Sequence, residues 1–315
     1  MLLSIVIPCY RSANTIGAVV DTIQKTMKTR PEFDSEIILV NDCSPDNTFE
    51  VIRGLTEKYD NVIGIDIAKN SGQQCATMAG LRYSRGDLVA VSDDDGQTPI
   101  ETVFTFYDKM QEGNYDVVCA RYGERGKRSL FRRLGSWAND AMVKYCLDKP
   151  DEINTSVYFL AKRFVIDEMI QYDNAYPHIS GLLLRTTYNI GNVDLVQKDR
   201  IAGSSGYSFR KLMNLWVNGL TTFSIKPLRA AVFTGGLMAF IGFIFILVLV
   251  IQKLAGADIA LGWTSLMATM ILIGGIILIV LGIVGEYIGR IYLCLNHTPQ
   301  YVVRDIIDNT KGSGK

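Results

Sequence analysis

The sequence lacks several features that mark common classes of protein. Its 315 residues include 32 basic and 32 acidic side chains, so it has no positive excess of the kind that nucleic-acid binders carry. It has two histidines, and none of its six cysteines follow a metal-ligand spacing such as C-x2-C. It contains neither G-x-G-x-x-G nor G-x-x-x-x-G-K-[ST]. We therefore expect no nucleic-acid partner, no dinucleotide-binding motif and no P-loop.

The beginning of the sequence also lacks the features of a secretory signal. Residues 1–8 have no basic region and too short an apolar stretch, and they predict a buried strand. A long chain without a signal more commonly keeps its cysteines reduced. We expect unpaired cysteines, with disulfide bonds as the alternative.

Charge is missing from two long stretches near the C-terminal end. Residues 230–251 are uncharged and would extend about 33 Å as a helix, and a second uncharged run lies between Asp258 and Glu286. Both runs exceed the usual length of a helix in a soluble protein. The sequence predicts two transmembrane helices, at 230–252 and 262–285, with two buried helices of a soluble core as the alternative.

The residues around this predicted hairpin indicate its orientation. The flanking basic residues are Arg210, Lys211, Lys226, Arg229, Arg290 and Arg304. The connection between the runs contains only one basic residue, Lys253. The positive-inside rule therefore predicts that a catalytic domain at 1–206 and an interfacial tail at 286–315 lie on the cytoplasmic side. Residues 207–229 predict an amphipathic helix on the membrane surface, or a helix docked on the soluble core.

The first 120 residues alternate between apolar runs and stretches with helical spacing. Predicted strands cover 3–9, 36–41, 62–67, 88–92 and 115–120, and predicted helices cover 14–28, 47–59, 73–83 and 99–111. Asn14 is a candidate cap for the first helix. This alternation predicts an α/β fold with a mostly parallel sheet, in which ligands bind at the carboxyl ends of the strands.

An acidic strand end is the strongest chemical signal. Asp93, Asp94 and Asp95 directly follow a buried strand. Three adjacent carboxylates repel one another unless a cation is bound, and oxygen ligands suit Mg²⁺ or Mn²⁺. The alternative is a solvated turn with capping aspartates.

Three other segments are candidates for binding nucleotide or phosphate. Asp42 follows a strand and could accept hydrogen bonds from a nucleobase or cap a helix. Gly72 permits close approach of a ligand at a helix N-terminus, which favours phosphate. The densest basic stretch is a solvated loop or a phosphate gate, and it contains Arg121, Arg125, Lys127, Arg128, Arg132 and Arg133.

Taken in order, these motifs resemble glycosyltransferase family 2, which has the GT-A fold. The resemblance is carried by residues 4–10, 38–46, 70–72 and the D-x-D of Asp93 and Asp95 with Gln97. Towards the C-terminal end, residues 206–208, the two uncharged runs and residues 285–292 look like the polyprenyl-phosphate glycosyltransferases.

The resemblance implies roles for particular residues. The nucleotide-binding residues would be Pro8, Tyr10, Asp42, Asn70, Gly72 and Asp93. The Mg²⁺ or Mn²⁺ ligands would be Asp95 and Gln97. The catalytic residues would be Asp93, Asp95, Arg121, Arg132 and Arg133. The acceptor phosphate would bind Arg121, Arg128, Arg132 and Arg133.

The resemblance also implies a reaction and a location. One sugar would pass from a nucleotide sugar, with UDP as the expected nucleotide, to a polyprenyl (undecaprenyl-type) phosphate. The expected course is single displacement with inversion, and the lipid-linked sugar would serve modification of cell-envelope glycans. The implied location is the bacterial inner membrane, in contact with membrane lipids, and a homo-oligomer, dimer or tetramer, is compatible with this.

Three departures and two alternatives accompany this interpretation. The acidic residue that the family often has shortly after the first Tyr is absent from residues 11–14. The usual D-D-G-S is Asn41-Asp42-Cys43-Ser44 here, and residues 153–156 lack the aspartate that relatives often carry. A processive polysaccharide synthase is one alternative, but residues 197–201 lack the Trp of Q-x-x-R-W. A catalytically silent scaffold that binds nucleotide sugars is the other.

Overall fold

The computed structural model describes residues 1–122, 150, 153–196, 226–255, 262–296 and 299–312. The chain divides into two compact units, one comprising Met1–Met213 with His297–Lys315 and the other Asn214–Asn296. Most of the surface helix predicted at 207–229 lies outside the described residues.

The first unit contains the sheet and its covering helices. The strands are β1 (Leu2–Cys9), β2 (Asp34–Asn41), β3 (Val62–Ile67), β4 (Leu88–Val91), β5 (Val117–Tyr122), β6 (Phe159–Lys162), β7 (Ile190–Leu195) and β8 (Val303–Asp308). The helices are α1 (Ile16–Met27), α2 (Thr48–Lys58), α3 (Gln73–Tyr83), α4 (Val103–Gly113), α5 (Arg163–Met169) and α6 (Ile179–Thr186).

The eight strands form one mixed sheet in the order β7-β5-β6-β4-β1-β2-β3-β8. β1 pairs in parallel with β2 and β4, β2 with β3, and β5 with β7. The pairs β4–β6, β5–β6 and β3–β8 are antiparallel. The predicted mostly parallel α/β sheet is therefore confirmed.

Both faces of the central strands are buried, which explains their continuous apolar runs. Along β1, Leu3, Ile5 and Ile7 belong to the main core cluster, which also includes residues of α1 and α4. On the opposite face, Val6 of β1 lies close to Gly80 of α3. The carboxyl ends of β1–β4 are thus held by a core on each side.

The first five strands and four helices lie close to their predicted ranges, with differences at the helix starts. α1 begins at Ile16, because the carbonyl of Ser12 accepts hydrogen bonds from the amides of Thr15 and Ile16. Asn14 lies within this turn and Thr15 occupies the N-cap position, so the capping role predicted for Asn14 was wrong. The predicted helix at 99–111 begins as a 3₁₀ turn, Ile100–Thr102, before α4.

The C-terminal tail returns to the sheet as its edge strand. β8 pairs along β3, from Asp308 opposite Ile63 to Val303 opposite Ile67. The tail predicted at 286–315 therefore contains an edge strand rather than only an interfacial segment.

The second unit contains two long helices that contact each other, α7 (Lys226–Leu254) and α8 (Trp263–Leu295). They cover the two uncharged runs. Large apolar side chains along both helices are exposed, among them Phe233, Phe243, Ile277 and Leu281. Within the part of the chain that the structure describes, no helix is long and apolar enough to cross a membrane.

Candidate functional site

Four loops lie at the carboxyl ends of β1, β2, β3 and β4, and hydrogen bonds join them into a closed circuit. We call these loops, residues 10–15, 42–48, 68–73 and 92–99, the carboxyl-edge ring; the second and third ranges include the first residues of α2 and α3. Parallel strands end at the same edge of a sheet, so the loops that follow the predicted strands lie together, as the α/β pattern of the sequence implies. The ring contains most of the described residues that were predicted to bind a donor.

The first two loops are joined by backbone amides that donate to side-chain hydroxyls. The amide of Arg11 donates to Ser44 Oγ over 3.2 Å, and the amide of Ser12 donates to Thr48 Oγ1 over 2.9 Å. Ser44 and Thr48 therefore fix the direction in which the chain leaves β1.

Asp42 joins the second loop to the third. Its Oδ1 accepts from the amide of Ser71 at 2.7 Å, and its Oδ2 accepts from the amide of Gly72 at 2.9 Å. Asn70 Nδ2 donates to the Asp42 carbonyl at 3.1 Å. Burial nevertheless raises the pKa of Asp42, and these two amides partly offset the effect. The carboxylate thus shapes the turn before α3 rather than capping α2.

The fourth loop closes the circuit. Gln73 Nε2 donates to Asp93 Oδ1 at 2.9 Å, although β3 and β4 are separated in the sheet by β1 and β2. The amide of Tyr10 donates to Asp94 Oδ2 at 3.0 Å, and the hydroxyl of Ser12 donates to the same oxygen. The middle aspartate of the acidic turn is therefore a structural link to β1.

Each of the four loops turns at one residue with a positive φ. These residues are Arg11 (φ 58°), Cys43 (φ 49°), Gly72 (φ 88°) and Gly96 (φ 71°). This conformation is costly for residues that carry a Cβ atom, and such strain clusters at functional sites. The two non-glycine examples show that the ring holds its loops against a local preference.

The acidic turn has unusual electrostatics. Burial, followed by repulsion from Asp95 and Asp94, raises the pKa of Asp93 to about 6. Burial also raises the pKa of Asp94, against the hydrogen bonds from Ser12 and Tyr10. Bringing these carboxylates together in ionised form is unfavourable, and a bound cation would offset that cost.

The donor set of the acidic turn suits a hard divalent cation. The amide of Gln97 donates to Asp95 Oδ1 at 3.0 Å, which places the two predicted metal ligands in one short turn. Among the described residues, no three His, Cys, Asp or Glu side chains are grouped so that they could hold a metal ion. A metal at this turn would therefore need oxygen atoms from a substrate or water to complete its coordination, as Mg²⁺ commonly does.

Pro8 and Tyr10 lie where the sheet opens. β1 pairs with β4 only from Leu3 to Val6, and Pro8 has no amide hydrogen that could extend that ladder. Tyr10 is 46% exposed, with the Arg11 guanidinium 5.6 Å from its ring centre. An aromatic ring is thus exposed beside the opening.

Arg121 at the end of β5 has a partner that sequence reasoning missed. Its guanidinium pairs with both carboxylate oxygens of Asp194 on β7, with Nη2 to Oδ2 at 2.7 Å. The two residues are opposite each other in the register of these parallel strands. The other predicted acceptor-phosphate residues, Arg128, Arg132 and Arg133, lie outside the described residues.

Tyr122 is a second residue that sequence reasoning missed. Burial is the main cause of its raised pKa, which is lowered in turn by a hydrogen bond with Thr98 and raised by the charges of Asp93 and Asp95. Thr98 Oγ1 also donates to Asp93 Oδ2 at 3.4 Å. No motif marks Tyr122, since its contribution depends on the end of β5 lying beside the acidic turn.

The remaining candidates have structural roles. His178 caps α6, with Nδ1 accepting from the amide of Gly181 at 3.0 Å. Cys9, Cys43, Cys75 and Cys119 are unpaired, as expected for reduced cysteines.

Two regions of the chain match known families. The family described as "Glycosyl transferase family 2" matches residues 4–170. The family described as "GtrB C-terminal hairpin" matches residues 226–291. Together the two regions include all four loops of the carboxyl-edge ring and most of α7 and α8.

Relatives are similar over nearly the whole chain. The bactoprenol glucosyl transferase of Shigella phage SfV is 30% identical over 97% of this chain and 99% of its own length. The undecaprenyl-phosphate 4-deoxy-4-formamido-L-arabinose transferase of Proteus mirabilis is 32% identical over 96% of this chain and 93% of its own length.

A solved structure shares the fold. Glucosyl-3-phosphoglycerate synthase from Mycobacterium tuberculosis, crystallised with Mn²⁺, UDP-glucose and phosphoglyceric acid, has a TM-score of 0.52 and 18% identity. The match covers 70% of this chain and 78% of that chain.

Proposed function

Because the chain belongs to glycosyltransferase family 2, we propose that it transfers one sugar from a nucleotide sugar to a polyprenyl phosphate. The observation that carries this proposal is the carboxyl-edge ring, which joins the candidate nucleotide loops to the acidic turn. The end-to-end similarity to bactoprenol and undecaprenyl-phosphate transferases supports the choice of acceptor.

The donor nucleotide would bind across the first three loops of the ring. Tyr10 offers an exposed ring beside the gap after Val6, and Asp42 holds the turn at Gly72 in place. Each Asp42 oxygen accepts a hydrogen bond from one backbone amide and has a second lone pair that a nucleobase N–H could use. The UDP-glucose in the Mycobacterium tuberculosis structure makes UDP the first nucleotide to test.

A divalent cation would bind at the acidic turn, held by Asp95 and Gln97 with Asp93 beside them. Bound there, Mg²⁺ or Mn²⁺ would neutralise the charge that develops on a departing nucleoside diphosphate. Asp93 would contact the donor, and hydrogen bonds from Gln73 and Thr98 hold its carboxylate in position.

The acceptor phosphate is an anion near neutral pH, so the transfer needs no catalytic base. The protein must place that anion in line with the sugar C1, and proximity alone can supply a large part of the rate. Direct attack in one displacement inverts the configuration at C1. Arg121 would position the acceptor, together with Arg128, Arg132 and Arg133 as implied by the family resemblance.

We infer that α7 and α8 hold the enzyme at a membrane, where its lipid acceptor resides. Exposed apolar side chains on both helices, such as Phe243 and Ile277, support this attachment. Because β8 follows α8 and returns to the sheet, the tail must lie on the same side of the membrane as the catalytic unit. The flanking basic residues favour the cytoplasmic side.

The proposal is tested by assaying the purified full chain in detergent with Mg²⁺ or Mn²⁺ and a panel of UDP- and GDP-sugars. Nucleoside diphosphate release and lipid mass are followed with and without a polyprenyl phosphate. We expect release that depends on the lipid and a mass gain of one sugar. A gain of several sugars would favour the processive synthase, and metal-dependent nucleotide binding without any product would favour the scaffold.

Replacing Asp95 tests the metal assignment. We expect Asp95→Asn to lower turnover by at least about 100-fold, because electrostatic stabilisation of a leaving group commonly contributes that much. Asp108→Asn is the matched control, since Asp108 is an exposed carboxylate that pairs with Arg30 on the surface. Near-normal turnover by a folded Asp95→Asn variant would contradict the assignment.

A further inference from the structure

The C-terminal tail completes the sheet, and one of its side chains also forms hydrogen bonds with residues that hold the carboxyl-edge ring in place. Arg304 of β8 lies next to the carboxyl end of β3. Its Nη1 donates to Asp66 Oδ2 at 3.1 Å, and its Nη2 donates to the carbonyl of Ala68 at 2.9 Å. The guanidinium thus spans the last residues of β3 and the first residue of the third loop.

The carboxylate that Arg304 contacts is buried and is shared with the second loop. Asp66 is 4% exposed. Its Oδ1 accepts from Asn41 Nδ2 at 2.7 Å, while Oδ2 faces Arg304. A buried carboxylate that loses one partner becomes costly, so the Asp66 side chain depends on both contacts.

Asn41 connects Asp66 to the second loop of the ring. Its Oδ1 accepts from the amide of Ser44 at 3.2 Å. Ser44 Oγ in turn accepts from the amide of Arg11 in the first loop. An unbroken chain of hydrogen bonds therefore runs from Arg304 through Asp66, Asn41 and Ser44 to the loop that carries Tyr10.

A shorter path leads through Ala68. Its carbonyl accepts from Arg304 and also from the Cys43 thiol, whose sulfur lies 3.6 Å away, and its amide donates to the carbonyl of Val302. Cys43 is one of the two non-glycine residues of the carboxyl-edge ring that have a positive φ. The tail is therefore connected to the second loop by two routes, through Ala68 to Cys43 and through Asp66 to Asn41.

We propose that Arg304 is a positioning residue for the donor nucleotide. It fixes Asp66 and Asn41, and through them the turn at 42–44 that holds Asp42 against the third loop. This inference rests on the proposed function for the identity of the ligand, but the coupling itself concerns only this chain. Pairing of β8 with β3 then also brings Arg304 to the position from which it shapes the donor site.

The coupling is tested first without any ligand, by hydrogen exchange on the full chain in detergent. We expect Arg304→Gln to speed exchange of the amides at 42–48 several-fold. Without Arg304 the Asp66 carboxylate no longer holds Asn41 firmly, and Asn41 Oδ1 is the acceptor of the Ser44 amide. Asn309→Ala is the matched control: it removes another tail contact, Asn309 Nδ2 to the Thr56 carbonyl at 3.0 Å, near the end of α2 that is remote from the ring. Equal exchange at 42–48 in both variants would overturn the coupling.

Binding and kinetics then separate positioning from general loss of structure. In Arg304→Gln we expect UDP to bind on the order of tenfold more weakly and the donor KM to rise similarly, as for a lost hydrogen bond to a charged group. The kcat at saturating donor and the KM for lipid should stay within about twofold of wild type. Arg304→Lys should restore part of the affinity, since an ammonium group can replace one of the two directed contacts.

The outcomes distinguish this inference from the proposed function. A wild-type chain that binds neither UDP nor GDP would overturn the proposed function, while the exchange experiment would still decide the coupling. Wild-type affinity for UDP in Arg304→Gln would overturn the positioning role. If Arg304→Gln does not fold, Asp66→Asn removes the ion pair with a side chain of the same size and is expected to show the same pattern.

Discussion

At the scale of single residues, the positive φ of Cys43 shows how the second loop is built. Cys43 occupies the position where the resembling family has a glycine, and it keeps the left-handed conformation that a glycine would adopt freely. The neighbouring bonds of Asp42 and Ser44 hold the turn in this conformation. The sequence departs from the family pattern here, but the backbone geometry that the pattern requires is kept.

Two substitutions at Cys43 test this interpretation. We expect Cys43→Gly to change stability by less than about 1 kcal/mol, because relief of strain is offset by the greater freedom of glycine in the unfolded chain. Cys43→Val should destabilise by more than about 1 kcal/mol, since a β-branched residue tolerates a positive φ poorly. The apparent Tm in detergent measures both, and a lower Tm for the glycine variant than for the valine variant would contradict the account.

His178 gives a prediction about pH. Burial lowers the pKa of its imidazole below the ordinary value of 6.5, and neutral Nδ1 accepts the amide of Gly181. The native state therefore binds this proton less readily than the unfolded state. The contribution of the cap is full above pH 6.5 and is lost as the pH falls through the lowered pKa.

The measurement is the difference in Tm between wild type and His178→Asn as a function of pH. Asparagine can cap the helix and does not titrate. We expect the wild type to lose about 1 kcal/mol relative to His178→Asn as the pH falls from 7.5 to 5. Parallel pH profiles of the two proteins would show that the cap does not titrate.

Sequence reasoning found many candidate site residues but few of their relationships. Asp42, Asp93 and Gly72 stand at predicted strand or helix ends, so their type and position were enough to select them. Asp194 was missed because its contribution depends on the pairing of β5 with β7, and Tyr122 was missed because its contribution depends on the end of β5 lying beside the acidic turn. Likewise, nothing in the tripeptide Asp93–Asp95 shows that the middle carboxylate is directed to Tyr10 and Ser12.

At the scale of elements, helix α3 packs unusually close to the sheet beneath the ring. A methyl group added at Gly80 would overlap Val6 Cγ1 and would lie 3.1 Å from Val40 Cγ2. This close approach brings the N-terminus of α3, with Gly72 and Gln73, over the ends of β1 and β2.

Gly80→Ala is therefore expected to destabilise the first unit by about 1–3 kcal/mol, as overpacking of a tight core does. Gly54→Ala in α2 is the matched control, because nothing lies within 4 Å of the added atom and alanine favours a helix by about 0.5–1 kcal/mol. Thermal unfolding in detergent measures both variants. A Gly80→Ala variant that matches the Tm of Gly54→Ala would show that α3 can shift away from the sheet.

The elements differ in how far local pattern specifies them. β1 to β5 are apolar runs bounded by turn residues, and their strand character follows from their composition. β8 reads Val-Arg-Asp-Ile-Ile-Asp, a short and half-polar segment whose strand conformation comes from pairing with β3. A partner more than 200 residues away leaves no local trace in a sequence, so the edge strand was not predicted.

At the scale of the whole molecule, the two units have different surfaces. Among its described residues, the first unit has a buried apolar core with few large apolar side chains exposed, whereas α7 and α8 expose many of theirs. Exposing such an apolar surface to water is unfavourable, and lipid chains would cover it.

We expect the full chain to remain with vesicles of anionic phospholipid after washing with sodium carbonate. Phe243→Arg combined with Ile277→Arg should move a large part of it into the supernatant, since each charge costs about 2.5–3.5 kcal/mol within a bilayer. Tyr188→Arg is the control, as Tyr188 is an exposed aromatic residue of the first unit. Equal retention of the double variant and the control would contradict attachment through these helices.

The position of β8 also has a consequence for the order of events during synthesis. β3 leaves the ribosome early, but its edge partner begins about 235 residues later. At about 5–20 residues per second, β3 waits roughly 12–47 s with an open edge. Open strand edges invite pairing with other chains. A nascent chain released before residue 303 would keep that edge open, and this would distinguish an unfinished chain from a finished one for any chaperone or protease that meets it.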